Sequence, residues 1–353
     1  MQWFFRVIAG LVILWTLVPL VRHGAWWIRV FDFPRVQIAI AAALLLAWFL
    51  VSGYSGGIDT ALAAALLASL VYQLVRIWPY TRLHSKQLLD ATDARGQEQI
   101  SVMVANVLTP NRNAARLRGF VERWEPDLLL CVETDRWWEA ALEPLEARYP
   151  YTVKRPQDNL YGMHLYSKRP LHDMKVKFLL DEAVPSIHGW VELSSGRRVR
   201  IHAVHPTPPA PTENPRSDER DAELLLVARA VEKQPTPTLV FGDLNDVAWS
   251  ATNVLFQRIS GLLDPRIGRG MFSTFHAKYP FLRWPLDHIF ISREFTLAVL
   301  ERLPAFGSDH LPIYARLVLA PEAEAVHEEP EADDADRRDA AERIEKTGAR
   351  ESV

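Results

Sequence analysis

Side chains that can bind a cation or move a proton recur where the predicted strands of this sequence begin or end. They are Asn106, Glu133, His205, Asp243, Asn245, Asp287, Asp309 and His310. Taken singly, each has an ordinary structural explanation, since Asp and Asn are common turn residues and helix caps. Turns do not require carboxylate, amide and imidazole groups at one strand end after another. The whole set therefore predicts a single chemical site.

Three of these residues suit a hard divalent cation. Glu133, Asp309 and Asn106 offer oxygen ligands of the kind that Mg²⁺ prefers, with Mn²⁺ as the alternative. Such a cation polarises a phosphoryl oxygen and stabilises the charge that develops during attack on phosphorus. The sequence therefore predicts a magnesium site that serves phosphoester chemistry.

The remaining residues of the set suit the handling of water and protons. Asp243 is expected to orient or deprotonate the attacking water, and Asn245 to hold the phosphate or the nucleophile. His310 is expected to stabilise the pentacoordinate phosphorus or to assist proton transfer, with Asp287 fixing its ring. These roles need no serine or cysteine nucleophile.

Four further residues are weaker candidates for contact with substrate. Asn111, Arg112 and Asn113 follow the first strand, where a helix cap explains either asparagine equally well. His164 lies within the predicted strand YGMHLYSK, where alternation makes a core or surface histidine an equal alternative. His202 and His288 are expected to face away from the site.

Strands and amphipathic helices alternate through the part of the chain that carries these residues. Strand-like stretches include ISVMVANVL, DLLLCVE, RRVRIHAVHP, TLVFGDLN, LDHIFIS and PIYARLVLA. The stretches NAARLRGFVERWEPD, SDERDAELLLVARAVEKQ and SATNVLFQRISGL have helical spacing, with Ser217 and Ser250 as expected caps. This order predicts a layered α/β domain with helices covering the sheets.

Three apolar segments precede that domain and predict membrane helices. They cover Trp3 to Val21, Val36 to Val51 and Ile58 to Trp78, each close to the roughly 20 residues that cross a bilayer. A cleaved signal peptide and a buried helical hairpin are the alternatives to this interpretation. We expect a multi-pass membrane region over residues 1–84 and a polar linker over 85–99.

Basic residues are uneven around these segments and indicate an orientation. Arginines at 22, 29 and 35 separate the first two segments, and Arg76, Arg82 and Lys86 follow or end the third. The positive-inside rule then places the catalytic domain in the cytoplasm, although Arg6 and the amino terminus oppose this.

The C-terminal tail also differs from the middle of the chain in its charge. Residues 321–353 contain 12 acidic and 5 basic residues and are expected to form a disordered tail. Residues 96–320 contain 27 of each sign, a balance that argues against tight electrostatic binding of nucleic acid. The single cysteine, Cys131, excludes an intramolecular disulfide.

The order of the motifs resembles that of the endonuclease/exonuclease/phosphatase superfamily, the deoxyribonuclease-I-like enzymes. The resemblance rests on Asn106, Glu133, residues 162–167, His205, GDLN at 242–245, LDHIF at 286–290 and SDH at 308–310. It implies a four-layer α/β sandwich, two packed mixed sheets flanked by helices, over residues 100–320. It also implies Mg²⁺-dependent phosphoester hydrolysis at the sheet edges, with His205 beside the scissile phosphate. The layout resembles bacterial inner-membrane members most closely.

The substrate is left open by the sequence. A nuclease-like phosphodiesterase, a phospholipid-headgroup or small-molecule phosphoesterase and an inactive membrane scaffold all remain, and no protein partner is indicated. The stretch VLTPNRN after Asn106 lacks the acidic residue that some nucleases carry two positions later, which puts a second metal in doubt. We expect the bilayer and a phosphodiester, from nucleic acid or a lipid headgroup, as the partners.

Overall fold

A computed structural model describes residues 2–53, 56–92 and 96–349. Its α-helices are α1 (Gln2–Leu17), α2 (Trp26–Arg29), α3 (Arg35–Ser52), α4 (Gly57–Ile77), α5 (Ala114–Trp124), α6 (Arg136–Leu142), α7 (Asp218–Lys233), α8 (Ala251–Ser260) and α9 (Asp334–Lys346). Short 3₁₀ turns cover Val18–Leu20, Val30–Asp32, Trp78–Tyr80, Glu143–Ala147 and Pro321–Ala325.

The strands are β1 (Gln99–Asn106), β2 (Leu128–Val132), β3 (Tyr151–Arg155), β4 (Met163–Ser167), β5 (Leu171–Lys177), β6 (Ser186–Glu192), β7 (Arg198–Val204), β8 (Thr238–Asp243), β9 (Asp287–Ile291), β10 (Phe295–Arg302) and β11 (Ile313–Leu319). They form two mixed sheets, in the orders β10-β11-β1-β2-β4-β3 and β5-β6-β7-β8-β9. One parallel pair lies within each sheet, β1 with β2 and β7 with β8.

Alternation along the strands explains the layers. Val102 and Val104 of β1 face the other sheet in one apolar core, whereas Met103 and Ala105 pack against α5 and α6. In the second sheet, Val240 faces α7 and α8 in the same way. Since strand side chains alternate between faces, each sheet is covered on both sides. The predicted four-layer α/β sandwich is confirmed.

The three predicted membrane segments form α1, α3 and α4, which are long and apolar enough to cross a bilayer. Polar contacts join them: Gln73 bridges Arg35 of α3 and Thr16 of α1, at 3.1 Å on each side. At the other end, Arg6 pairs with Asp59 through two nitrogens. Ionic groups inside apolar segments occur in partnered arrangements of this kind.

The catalytic-type domain packs directly on the ends of these helices. Trp249 donates its indole hydrogen bond to the Asp32 carbonyl at 2.8 Å, and the Tyr80 hydroxyl donates to the Ala248 carbonyl at 2.7 Å. Around these bonds, Val247 and Leu286 join an apolar cluster. The loop that follows β8 is therefore held against the N-terminal region.

Two segments differ from the sequence-based expectation. Within the expected linker, Leu88 is buried in the core between the sheets, and Ala91 donates its N–H to Leu297 of β10. The expected disordered tail forms α9, which packs Ala340 and Ile344 against α7 and α8. Two apolar residues one helical turn apart are enough to make a buried stripe.

Ion pairs and a cap compensate the charge of that tail helix. Asp333 caps α9 through a capping box, and Arg337 bonds Glu232 of α7 at 3.0 Å. Lys346 likewise reaches Asp218, at 2.6 Å. The excess of acidic residues in the tail therefore wrongly predicted disorder. The helix α9 is stabilised because its basic residues pair with acidic side chains of another helix.

At Gly242 the backbone of β8 lies very close to the backbone of β7. Its φ is +152°, and a Cβ added there would lie 1.9 Å from the carbonyl oxygen of Val204 on β7. We expect Gly242→Ala to lower the free energy of unfolding by about 3 kcal/mol or more, through strain and displacement of β7. Thermal unfolding of the full-length protein in detergent, followed by tryptophan fluorescence, measures the loss.

Gly119→Ala in α5 is the matched control. A Cβ at Gly119 meets no atom within 4 Å, so this change should leave stability equal or raise it by up to about 1 kcal/mol. Equal melting temperatures for the two variants would contradict the close approach of β8 to β7.

Candidate active site

The polar residues singled out in the sequence lie at one edge of the sandwich, where strands of the two sheets end side by side. Asn106 ends β1, Glu133 follows β2, and Asp243 ends β8. Asp287 opens β9, which runs antiparallel to β8, so its first residue pairs with Asp243. The topology therefore brings these carboxylates to one place.

Asn106 connects the two sheets. Its Nδ2 donates to Glu133 Oε1 at 2.7 Å and to Asp243 Oδ2 at 3.0 Å. Its Oδ1 accepts the N–H of Leu108, so the amide oxygen is already engaged. Asn106 was expected to be an oxygen ligand of the cation; here it presents its NH₂ group and holds two carboxylates in place.

His310 lies between two carboxylates. Its Nδ1 is 2.8 Å from Asp287 Oδ2, and its Nε2 is 3.5 Å from Asp243 Oδ2. Burial alone would lower the pKa of His310, but the charges of Asp243 and Asp287 outweigh it and raise the pKa to about 10. The ring is therefore a cation at neutral pH and can stabilise negative charge beside Asp243.

Asp243 is fully buried and is held from several sides. Besides Asn106 and His310, the backbone N–H of Asn245 donates to its Oδ1 at 3.0 Å. Asn245 has a φ of +52° and donates its side-chain amide to the Pro206 carbonyl. Gly242 and Asp243 are thus the last residues of β8, and the chain bends only at Asn245, where the bend holds Asp243 in the site.

One oxygen of Glu133 has no hydrogen-bond partner. Among the described residues, nothing bonds its buried Oε2, while burial raises the pKa of Glu133 to about 7. The carboxylates of Asp243 and Asp309 raise that pKa further, and the Asn106 amide lowers it. A buried, unpartnered carboxylate oxygen among other carboxylates fits a divalent cation.

The carboxylate and imidazole atoms that lie closest together are not those predicted as metal ligands. Asp243, Asp287 and His310 have ligand-type atoms within 4.8 Å of one another. The hydrogen bond between His310 and Asp287 accounts for that closeness without an ion, and Asp287 Oδ1, like Glu133 Oε2, is buried without a hydrogen-bond partner. Of these two carboxylates only Glu133 lines the cleft, so a cation held there would be open to a ligand.

A cleft of about 500 Å³ opens beside these groups. Its polar end is formed by Glu133, His205, Asn245, Asp309 and His310. Burial lowers the pKa of His205 to about 4, so this imidazole is neutral at pH 7. His205 therefore offers a hydrogen bond to a ligand rather than a charge.

The four weaker candidates lie elsewhere. His164 is buried against the outer face of its sheet, beside Tyr166, because Met163 and Leu165 take the inner face. Arg112 pairs with Asp135 at 2.8 Å and stacks on Trp137. His164 does not line the cleft, and its contact with substrate stays a prediction.

The two asparagines near Arg112 serve the local backbone. Asn111 donates to the Val107 carbonyl and accepts the N–H of Asn113. Asn113 occupies the N-cap position of α5 without a side-chain cap bond. Neither lines the cleft. Ser250 does cap α8 as expected, whereas Ser217 instead donates to Asp221.

Several residues near the site were not found from the sequence. Tyr161 lines the cleft with its ring 5.5 Å from His205 and its hydroxyl on Glu213. Arg220 of α7 donates to the Asn245 carbonyl at 2.8 Å and so supports the turn after Asp243. Of these two residues, only Tyr161 could have been noticed in the sequence, because it directly precedes Gly162 of the motif at residues 162–167.

Comparison with known proteins agrees with this arrangement. The sequence model of the endonuclease/exonuclease/phosphatase family matches residues 103–310. The chain therefore belongs to the endonuclease/exonuclease/phosphatase family, whose members are hydrolases acting on phosphoester bonds and generally use divalent metal ions. No curated protein matches the sequence.

Solved structures show the same fold. A humanized TDP2 of D. rerio superposes with a TM-score of 0.50 at 16% identity, covering 62% of this chain and 98% of that one. A D. rerio TDP2 complexed with a single-strand DNA product gives the same values. An endonuclease/exonuclease/phosphatase from Beutenbergia cavernae has a TM-score of 0.50 at 18% identity, covering 64% and 72%. At these identities the likeness concerns the fold alone.

Proposed function

We propose that this protein is a membrane-anchored, Mg²⁺-dependent phosphodiesterase. The observation that carries the proposal is the meeting of Glu133, Asp243 and the Asp287–His310 pair at one end of an open cleft. A chain of this family that kept only a scaffold role would not need these groups buried together. Burying several charges costs free energy, so a cluster of buried ionisable groups beside a cleft indicates a functional site.

The residues divide the work of hydrolysis as follows. Asp243 accepts a proton from the attacking water, whose oxygen forms the new bond to phosphorus. The bond from phosphorus to the leaving alcohol oxygen breaks, that oxygen takes a proton from solvent water, and Asp243 returns the proton it accepted to solvent. His310, held by Asp287, stabilises the charge on the phosphoryl oxygens, and neutral His205 donates a hydrogen bond beside it.

The metal belongs on the Glu133 side of the site. Glu133 and Asp309 would hold it, while Asn106 holds the carboxylates of Glu133 and Asp243 in place through hydrogen bonds. When bound, Mg²⁺ or Mn²⁺ supplies Lewis-acid stabilisation of the phosphoryl group. The free oxygen of Glu133 supports this assignment.

The domain limits remain a proposal: a membrane region over residues 1–84, a linker over 85–99 and a catalytic domain over 100–320. To these the structure adds α9, which packs on α7 and α8. Since the domain rests on α4 and on the segment before α3, the full-length protein is the form to assay. A cytoplasmic catalytic domain in a bacterial inner membrane remains our proposal for location.

The direct test is hydrolysis of bis-p-nitrophenyl phosphate by the full-length protein in detergent. We expect release of p-nitrophenol with Mg²⁺ or Mn²⁺ and its loss with EDTA. No metal-dependent release by the folded protein, or release that EDTA leaves unchanged, would contradict the proposal. A reporter fused after Val353 would test the side of the membrane.

A further inference from the structure

The cleft beside the catalytic residues is apolar over most of its length. One wall comes from the segment between α1 and α3, with Trp26, Val30 and Phe33. The same lining continues into the loop before β9, with Phe275, Trp284 and Leu286, and the Trp284 ring meets the Phe33 ring edge-to-face at 5.7 Å. A phosphodiesterase that needs only a phosphate in its site has no use for six such side chains in contact with the cleft.

The apolar wall belongs to the part of the chain that meets the membrane. Phe33 lies two residues before Arg35, where α3 begins, and Trp26 follows the end of α1 by nine residues. Val30 is 46% exposed and Trp27 56% exposed, both in this connecting segment. The cleft therefore opens where two apolar helices end, which is the depth of a bilayer interface.

The loop around Phe281 is also exposed and lies beside the start of α3, at the same depth as the connecting segment. Phe281 is 89% exposed, and its carbonyl accepts a hydrogen bond from Gln37 in the first turn of α3 at 2.6 Å. Tyr279 and Leu282 beside it are also exposed. Aromatic and aliphatic side chains at this position favour contact with lipid rather than water.

The charge of the cleft disfavours a polyanion. Among the described residues that line it, none is lysine or arginine, while Glu133, Glu213 and Asp309 are acidic. Nucleic acid is bound largely through lysine and arginine contacts to its phosphates. A ligand with one phosphate, held by the cation and by His310, requires no such basic track.

We propose that the substrate is a membrane phospholipid. Its phosphate ester lies beside Glu133 and His310, and the glycerol end of its apolar chains lies along the lining formed by Trp26, Phe33 and Trp284. This inference rests on the proposed phosphodiesterase function and adds its substrate class. It also explains why the connecting segment, rather than the domain alone, completes the cleft.

The test compares two neighbouring tryptophans in the full-length protein. Trp26 lines the cleft, whereas Trp27 does not line it and is exposed on the same short helix. The substrates are vesicles of phosphatidylethanolamine with phosphatidylglycerol, vesicles that also contain phosphatidic acid, soluble bis-p-nitrophenyl phosphate and a single-stranded oligodeoxynucleotide. Mass spectrometry of the water-soluble products distinguishes cleavage of a phosphodiester from cleavage of a phosphomonoester.

We expect wild-type protein to hydrolyse a vesicle lipid and Trp27→Ala to behave like wild type. Trp26→Ala should lower the rate on that lipid about tenfold more than the rate on bis-p-nitrophenyl phosphate, because only the lipid needs the apolar wall. Val30→Gln should shift the same ratio in the same direction, with Val21→Gln, exposed but outside the cleft, as its control.

The outcomes separate the two proposals. Without metal-dependent hydrolysis of any substrate, the phosphodiesterase function itself fails. If bis-p-nitrophenyl phosphate is hydrolysed but no vesicle lipid is, or if the oligodeoxynucleotide is preferred, the function stands and the lipid inference is overturned. Equal ratios for Trp26→Ala and Trp27→Ala would also overturn it.

Discussion

Asp243→Asn should lower the turnover of bis-p-nitrophenyl phosphate by about a thousandfold, within the range that positioned proton transfer contributes. The reason is geometric: Asp243 is fully buried, is fixed by Asn106 and Asn245, and lies 3.5 Å from the His310 ring. An asparagine keeps that shape but cannot accept the proton of the attacking water. Steady-state kinetics at saturating Mg²⁺ measure the change.

Stability should change less than activity. Burial disfavours the charge of Asp243, but its two oxygens accept from Asn106 and Asn245, so the amide should lower the melting temperature modestly without unfolding the protein. A loss of activity accompanied by unfolding would not support the role given to Asp243. Activity within a few-fold of wild type would contradict it.

Asp246→Asn is the matched control in the same loop. Asp246 is also buried, but its carboxylate faces Arg220 at 3.2 Å, whereas that of Asp243 faces His310, which lines the cleft. Removing its charge leaves a buried guanidinium with one partner fewer, so we expect a lower melting temperature. Its effect on turnover should be much smaller than that of Asp243→Asn.

Glu133→Gln should remove both metal binding and activity. Wild-type protein should gain stability with Mn²⁺, by about 2.7 kcal/mol at a concentration of roughly 100 times Kd. The variant should lose most of that gain, because the amide removes the carboxylate charge that the cation needs. Thermal unfolding with Mn²⁺ and with EDTA measures this without reference to catalysis.

The metal-free protein provides an internal check. Burial raises the pKa of Glu133 to about 7, so the carboxylate is costly to ionise when no cation is bound. In EDTA above pH 7, Glu133→Gln should therefore be as stable as wild type or more stable. Glu213→Gln, a glutamate elsewhere in the same cleft, should retain the Mn²⁺-induced shift. The same Mn²⁺ shift in Glu133→Gln as in wild type would contradict the assignment.

Strands that bury side chains on both faces were predictable from their apolar runs. β1, β2, β8, β9 and β11 are all of this kind. β3 was missed because YTVKR is half exposed and carries two charges in five residues. β10 was missed as an edge strand with a register shift. Edge strands carry a weak apolar pattern because much of their surface faces water.

The orientation of the Asn106 side-chain amide could not be predicted from the sequence. The sequence indicated a polar residue at the end of β1, and its type suggested an oxygen ligand. Which end of the amide faces the site depends on the N–H of Leu108, which takes the oxygen, and on two carboxylates from different strands. Those partners are 27 and 137 residues away, so local pattern does not reveal them.

The sequence by itself determined the α/β sandwich, the three apolar helices and the side chains that crowd the strand ends, because these follow from local periodicity and from the order of motifs. Only the tertiary structure decided that the segment before α3 forms a wall of the cleft and that the acidic tail packs as α9. Both depend on contacts between residues far apart in the chain, such as Trp249 with Asp32 and Arg337 with Glu232. Such contacts arise from the packing of whole layers, which no short stretch of sequence encodes.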